Sequence, residues 1–103
     1  MVERDVVLAK IATMDRCVRR IREAREPGRG LKPIDVEDIV VLNLQRAVQA
    51  AIDLATHAVA TEGYGLPDTV GASFTLLEDE GVIAPALAER LRKMVGFRNI
   101  VVC

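Results

Sequence analysis

The sequence contains no tryptophan, one tyrosine, two phenylalanines and a single histidine. A core built from so few aromatic residues must consist of aliphatic side chains. The two cysteines, Cys17 and Cys103, are too few and too far apart for a disulfide framework or a thiolate metal site, so we expect no metal and no cofactor. Cys17 lies in a helical pattern, which predicts a small buried hydrophobic residue.

The chain also lacks any uncharged stretch of about 18 residues, the length that a membrane span needs, and its first residues lack the apolar segment of a signal peptide. We therefore expect a reduced, soluble, cytoplasmic protein that contacts no membrane. The net charge of −1 creates no global field that would attract nucleic acid. Residues 15–32, however, hold seven basic residues against three acidic ones. Such a stretch is usually a solvated face with helical ion pairs, and alternatively an RNA-contacting surface.

The abundant residues are Ala, Leu, Val, Ile, Arg and Glu, which favour helix over sheet. The 103 residues predict one domain, 1–103. Helical periodicity covers residues 3–25, residues 35–61, a short segment after residue 68, and a last segment that begins near residue 83. Proline and glycine interrupt the pattern at residues 27–30, 63–67 and 81. Four helices with short connections predict an all-α, antiparallel, four-helix up-and-down bundle.

The apolar positions predict which faces are buried. The second helix is apolar over a wide arc and should be central, with Asp35 as its N-cap. Asp68 or Thr69 should cap the third helix. The third helix should turn Val70, Phe74 and Leu77 inward. The first helix should bury a seam with alternating spacings of four and three residues, made of Val7, Ile11, Met14, Val18 and Ile21.

The last stretch, residues 87–103, reads LAERLRKMVGFRNIVVC and contains the most informative residue, Arg98. Its apolar residues follow helical spacing and predict a buried stripe of Leu87, Leu91, Met94 and Val101. Arg98 lies about 20° from Leu87 on an ideal helix, inside this stripe. A guanidinium stays charged, so it must reach a carboxylate, water or a ligand anion. When Arg98 is considered by itself, the simpler interpretation is a structural residue that forms an ion pair with a carboxylate such as Asp53.

Residues 96–102, GFRNIVV, resemble the GFRNIxVHxY segment of HepT-like proteins of the HEPN superfamily, whose motif is Arg, four to six residues, then His. Segments 43–47, 51–57 and 87–99 are similar to the family in the same order, so the resemblance covers the chain from about residue 35. The sequence differs at Cys103, which takes the place of the motif His, and the family's Tyr two positions further on is absent as well. The final apolar run has no capping residue, and we expect a truncated or altered form.

The resemblance implies a metal-independent endoribonuclease toxin that cleaves RNA at the cleft of a homodimer. It also implies an MntA-like nucleotidyltransferase antitoxin, which attaches adenylate to the family's Tyr. Arg98 matches the Arg that holds the phosphate, Asn99 matches its polar neighbour, and Cys103 replaces the His that moves the proton. These three are the candidate catalytic residues. A thiol, with an unperturbed pKa of about 8.5, replaces imidazole poorly at neutral pH, so we expect impaired activity.

Helix geometry suggests why a dimer would matter. Arg98 and Cys103 are about 140° apart around an ideal helix, so they converge only if the helix end distorts or if two motifs meet across a two-fold axis. We predict a dimer cleft lined by Arg98 of both subunits. His57 is expected to be a satisfied interior or interface histidine rather than a catalyst. The alternative function is a non-catalytic helical dimer that binds a nucleotidyltransferase partner or RNA without cutting it.

Two polar residues of the second helix, Asn43 and Arg46, have two interpretations. They could line a cleft, or they could make polar contacts between helices. The sequence does not distinguish the two.

Overall fold

The computed structural model describes the backbone of residues 3–102 and the side chains of residues 3–98. It contains four helices: α1 (Arg4–Ala24), α2 (Pro33–Glu62), α3 (Ala72–Asp79) and α4 (Pro85–Val102). Residues 3–102 include no strand, so the predicted all-α helical bundle is confirmed. Among these described residues, no helix combines the length and the hydropathy that a membrane span requires.

The helix α2 is the axis of the molecule. Its 30 residues would extend about 45 Å at 1.5 Å per residue, close to the 48 Å long dimension of the protein. α1 packs only against α2 among the described helices, whereas α3 and α4 pack against α2 and against each other. α1 and α2 are antiparallel, because Glu3 lies beside His57 at one end and Lys10 pairs with Asp53 further along. α2 therefore separates α1 from the α3–α4 pair.

The core lies between α2, α3 and α4. Its fully buried members come from all three helices and are Val48, Ile52, Ala55, Val59, Phe74, Leu77 and Val95. The predicted burial of Phe74 and Leu77 and the predicted central position of the second helix are confirmed. In α1 the buried residues are Cys17 and Ala24, and Cys17 is the small buried residue that its pattern indicated.

Several residues that were expected to face inward are exposed. They are Ile11 (41% exposed), Val18 (39%), Val70 (40%) and Leu87 (46%). α1 is covered on one side only, so part of its apolar seam remains open to solvent. In α4 the fully buried residues are Ala88 and Val95, which share one helix face about 100° away from Leu87. Leu91 and Met94 of the predicted stripe do pack, partly buried, against the core, and the side chain of Val101 lies outside the described residues. The contact face of α4 therefore includes part of the predicted stripe but is rotated from it toward Ala88 and Val95.

The helix ends follow proline and glycine more closely than they follow acidic caps. α2 begins at Pro33 with Lys32 as the cap residue, so the prediction of Asp35 as N-cap is wrong. Proline has the φ angle of a first helical residue, which lets the helix begin before Asp35 and places that carboxylate in the first turn, near the positive end of the helix dipole. At the other end, Gly63 adopts a left-handed φ of 69° and its N–H bonds to the carbonyl of Val59.

The third helix begins after a turn. Gly71 is its cap residue, so neither predicted cap holds that position, although the Thr69 hydroxyl accepts a hydrogen bond from the N–H of Ala72 at 3.2 Å. α4 begins at Pro85, two residues after the predicted start near residue 83, because the fixed φ of proline suits the first helical position.

Candidate functional site

Arg98 lies at the margin of the contact between α4 and α2. It is three residues beyond the buried Val95, about 60° around the helix, and its side chain is half-buried. Its Nη1 donates a hydrogen bond of 2.6 Å to Oε1 of Gln49, in the middle of α2. The rotation of α4 explains this position, because a residue expected on the buried stripe now lies where the interface meets solvent.

Gln49 connects Arg98 to a network that reaches α1. Its Nε2 donates to Oδ1 of Asp53 at 2.9 Å, and Nζ of Lys10 pairs with Oδ2 of the same carboxylate at 3.1 Å. The order Arg98, Gln49, Asp53, Lys10 thus joins α4, α2 and α1 through three consecutive hydrogen bonds. The structure therefore relates Arg98 to Asp53 through the amide of Gln49.

The charge of Asp53 is stabilised by this network. Burial raises the pKa of the Asp53 carboxyl, but the hydrogen bonds from Gln49 and Lys10 and the positive charge of Lys10 outweigh it and hold the pKa below its ordinary value. Asp53 therefore stays ionised at neutral pH. An ionised Asp53 accepts from Gln49 Nε2 and so leaves the amide oxygen turned toward Arg98.

The other two candidate catalytic residues lie at or beyond the end of the described side chains. The backbone of Asn99 is part of α4, which stays helical through Val102, whereas the side chain of Asn99 and all of Cys103 lie outside the described residues. The backbone between residues 98 and 102 is continuous helix.

His57 has a structural contact. Its Nε2 accepts a hydrogen bond of 3.3 Å from the backbone N–H of Glu3, where α1 begins beside α2. This contact agrees with the predicted interior or interface role. In the part of the chain that the structure describes, no three His, Cys, Asp or Glu residues come together in a way that could hold a metal ion.

Asn43 and Arg46 line a groove between α1 and α2, near the connection that joins them. Asn43 is 3% exposed and its Nδ2 donates to the carbonyl of Ile39 at 2.8 Å, whereas Arg46 is exposed. Arg20 and Arg29 of the basic stretch face the same groove. Asn43 and Arg46 thus line a cleft, as one interpretation predicted, whereas the hydrogen bond of Asn43 lies within α2 and is not the contact between helices that the other interpretation predicted.

The sequence interpretation missed Gln49. A signal was present, since Gln49 and Asp53 are four residues apart and must be neighbours on one helix face. What the sequence lacked was the register of α4 against α2, which decides that Arg98 meets Gln49.

Comparison with known proteins adds to this geometry. The family model described as "Ribonuclease HepT-like" matches residues 14–103. The mRNA nuclease HepT of Shewanella oneidensis is 41% identical over 99 residues, which cover 95% of this chain and 74% of that protein. The chain belongs to the HepT-like ribonuclease family.

Solved structures agree with the family assignment. A tri-AMPylated Shewanella oneidensis HEPN toxin in complex with MNT antitoxin superimposes with a TM-score of 0.89 at 40% identity, covering 97% of this chain and 76% of the other. A toxin–antitoxin structure with AMP-PNP gives a TM-score of 0.88 at 41% identity, covering 96% and 76%. The bundle seen here is therefore the HEPN toxin fold.

Proposed function

We propose that this chain is the ribonuclease toxin of a toxin–antitoxin pair and cleaves RNA without a metal ion. The observation that carries the proposal is the position of Arg98, the motif arginine, held by Gln49 at the solvent margin of the α2–α4 contact. A guanidinium fixed at a surface can bind a phosphate and neutralise the charge that grows on its oxygens during cleavage. The relation to an mRNA nuclease supports RNA as the substrate class.

The reaction is attack of a ribose 2′-hydroxyl on the adjacent phosphate. The new O–P bond closes a cyclic phosphate while the bond from phosphorus to the 5′-oxygen of the next nucleotide breaks. A base must take the proton of the 2′-hydroxyl, and an acid must protonate the leaving 5′-oxygen. In this chain Cys103 takes the position of the motif His, and we assign to it a much slower proton transfer, because a thiol is mainly protonated at neutral pH.

The proposed cleft lies between two copies of the chain. α4 is helical through Val102, and on a continuous helix Arg98 and position 103 would be about 140° apart. Two motifs facing each other across a two-fold axis bring Arg98 of one subunit toward position 103 of its partner. Phe97 is 40% exposed beside Arg98, and burying it in a dimer would add apolar contact.

The proposed partner is an MntA-like nucleotidyltransferase antitoxin. The toxin whose structure matches at a TM-score of 0.89 is in complex with MNT antitoxin. A toxin that acts on RNA and is controlled by a nucleotide-using enzyme belongs in the cytoplasm, and we place this chain there.

The test is cleavage of a quenched fluorescent single-stranded RNA in the presence of EDTA by this chain, Cys103→His and Cys103→Ser. General acid–base catalysis contributes about 10²- to 10⁴-fold, so Cys103→His should cut faster than this chain by a factor in that range. Cys103→Ser controls for loss of the thiol and should be as slow as this chain or slower. If Cys103→His is as inert as Cys103→Ser, the non-catalytic binding module is the better description.

Complementation tests the dimer cleft. A mixture of the inactive double variant Arg98→Ala, Cys103→His with the unaltered chain should form hybrid dimers in which one cleft has an intact Arg98 opposite the introduced histidine. Cleavage should rise well above that of either protein alone. Unchanged cleavage, or sedimentation as a monomer at micromolar concentration, would contradict a shared site.

A further inference from the structure

The groove between α1 and α2 has the features of a second ligand site. It has a volume of about 380 Å³ and lies between the end of α1, the connection at residues 25–32 and the first half of α2. Its wall is partly apolar, with Leu42 from α2, and partly basic, with Arg20, Arg29 and Arg46. Sites for small organic ligands in proteins have about 300–1,000 Å³, so the groove is large enough for one nucleotide unit.

The charge of the groove favours an anion. Three arginines contribute positive charge, and Glu23 is the acidic residue among those that line it. Arg29 shares its charge with Glu26, whose carboxylate is 3.4 Å from its Nε. Arg20 and Arg46 are both exposed and form no ion pair within the described part of the chain, although they come from different helices and face the same space. Guanidinium groups arranged in this way suit a phosphate.

The buried side chain of Asn43 indicates that the ligand also carries a hydrogen-bond donor. The residue is 3% exposed and its Nδ2 is satisfied by the carbonyl of Ile39, but its buried Oδ1 has no hydrogen-bond partner among the residues that the structure describes. Buried amide oxygens normally accept a hydrogen bond, and an ionised phosphate has no proton to donate. The ligand should therefore present a donor as well as a negative charge, which a ribose hydroxyl or a base amine next to a phosphate provides.

Arg46, which lines the groove, lies close to Gln49 along α2. Arg46 precedes Gln49 by three residues on α2, which places the two side chains on neighbouring positions of one helix face, about 4.5 Å apart along the axis. Gln49 is the residue that bonds Arg98. A strand of RNA with one phosphate at Arg98 would thus reach the groove with a nearby nucleotide.

We propose that this groove binds a nucleotide of the RNA near the scissile phosphate, with Arg20 and Arg46 on its phosphate and Asn43 Oδ1 accepting from its sugar or base. The assignment rests on the proposed function, since it takes RNA as the substrate. It adds a binding subsite, remote from the motif, that would set affinity and the preferred RNA sequence or length.

The experiment measures binding of a fluorescent RNA of about twelve nucleotides by anisotropy at several salt concentrations, with the full chain in an Arg98→Ala background. The double variant Arg20→Gln, Arg46→Gln should bind about tenfold more weakly and lower the salt slope by about 1.4, because each guanidinium that neutralises a phosphate of a single strand adds about 0.7 to that slope. Asn43→Leu should weaken binding without changing the slope. Arg90→Gln, at an exposed arginine of α4 that is not among the groove residues, is the matched control and should bind normally.

An affinity of the double variant within about twofold of the Arg90→Gln control would overturn the proposal, since removing two phosphate-binding guanidinium groups should weaken binding measurably. Unchanged RNA binding together with weaker antitoxin binding would show that the groove is a protein-docking surface instead. The subsite and the proposed function fail separately. If groove variants lose RNA affinity while Cys103→His never cuts, the subsite stands and the nuclease assignment falls. If Cys103→His cuts and groove variants bind RNA normally, the reverse holds.

Discussion

Replacing Gln49 with alanine should slow RNA cleavage although Gln49 does not touch the reacting atoms. The change removes the acceptor that lies 2.6 Å from Nη1 of Arg98 and the donor that lies 2.9 Å from Oδ1 of Asp53. A hydrogen bond to a charged group contributes about 1.5–3 kcal/mol, and because Gln49 is exposed we expect about 1 kcal/mol. Since about 1.36 kcal/mol is a factor of ten in rate, cleavage should fall about fivefold.

The assay is steady-state cleavage in the Cys103→His background, where the motif is complete. The loss should appear in kcat rather than KM, because a positioned Arg98 matters most when charge develops on the phosphate. Gln49→Glu keeps an acceptor for Arg98 but replaces the donor to Asp53 with a second carboxylate, so it should recover only part of the rate. Gln45→Ala is the matched control, one turn earlier on α2, and the side chain of Gln45 forms no hydrogen bond with a residue in the described range.

The reasoning is refuted if Gln49→Ala cuts at the full rate. It is also refuted if Gln49→Ala causes the same fivefold loss of residual activity in a chain that already carries Arg98→Ala, because a residue that acts by positioning Arg98 has nothing left to position.

Three further predictions concern stability and use urea unfolding. Phe74→Ala should lower the free energy of unfolding by about 3–5 kcal/mol, because Phe74 is 2% exposed. Leu66 is 97% exposed, so Leu66→Ala should change the free energy of unfolding by less than about 0.5 kcal/mol. Equal effects would contradict the assignment of Phe74 to the core. Gly63→Ala should destabilise by about 1–2 kcal/mol because of its left-handed φ, whereas Gly96→Ala, inside α4 with open space around its Cβ, should stabilise by about 0.5–1 kcal/mol; the same sign for both would contradict these backbone assignments. Asp53→Asn should lower the free energy of unfolding by less than about 1 kcal/mol at pH 7. Because the pKa of Asp53 is lower in the folded than in the unfolded state, the difference in stability between the two proteins should shrink as the pH falls through the folded pKa. A difference in stability that grows in acid would contradict this assignment.

The helices were readable from the sequence because proline and glycine mark their ends. Pro85 begins α4, and Gly63 and Gly81 follow α2 and α3 with positive φ. Asp35 was misassigned because an acidic residue favours both the cap and the first turn, and Pro33 decided between them.

The faces were harder to predict than the helices. An apolar stripe shows that one side of a helix can be buried, but it does not show how much of that side a neighbour covers. Ile11 and Val18 remain exposed because α1 packs against α2 alone within the described chain. Arg98 shows the same difficulty. Its charge indicated that it needs a partner, but only the rotation of α4 against α2 determines that the partner is Gln49.

The central claim is that Arg98 acts on the scissile phosphate, and the most direct test compares Arg98→Ala with Arg90→Ala. Both changes remove one arginine from α4, and both should be made in the Cys103→His background and assayed on RNA with EDTA. We expect Arg98→Ala to lose cleavage by about 10²-fold or more, as when a main charge-stabilising group is removed, and Arg90→Ala to cut at the control rate. Equal activity of the two variants would contradict the assignment of Arg98.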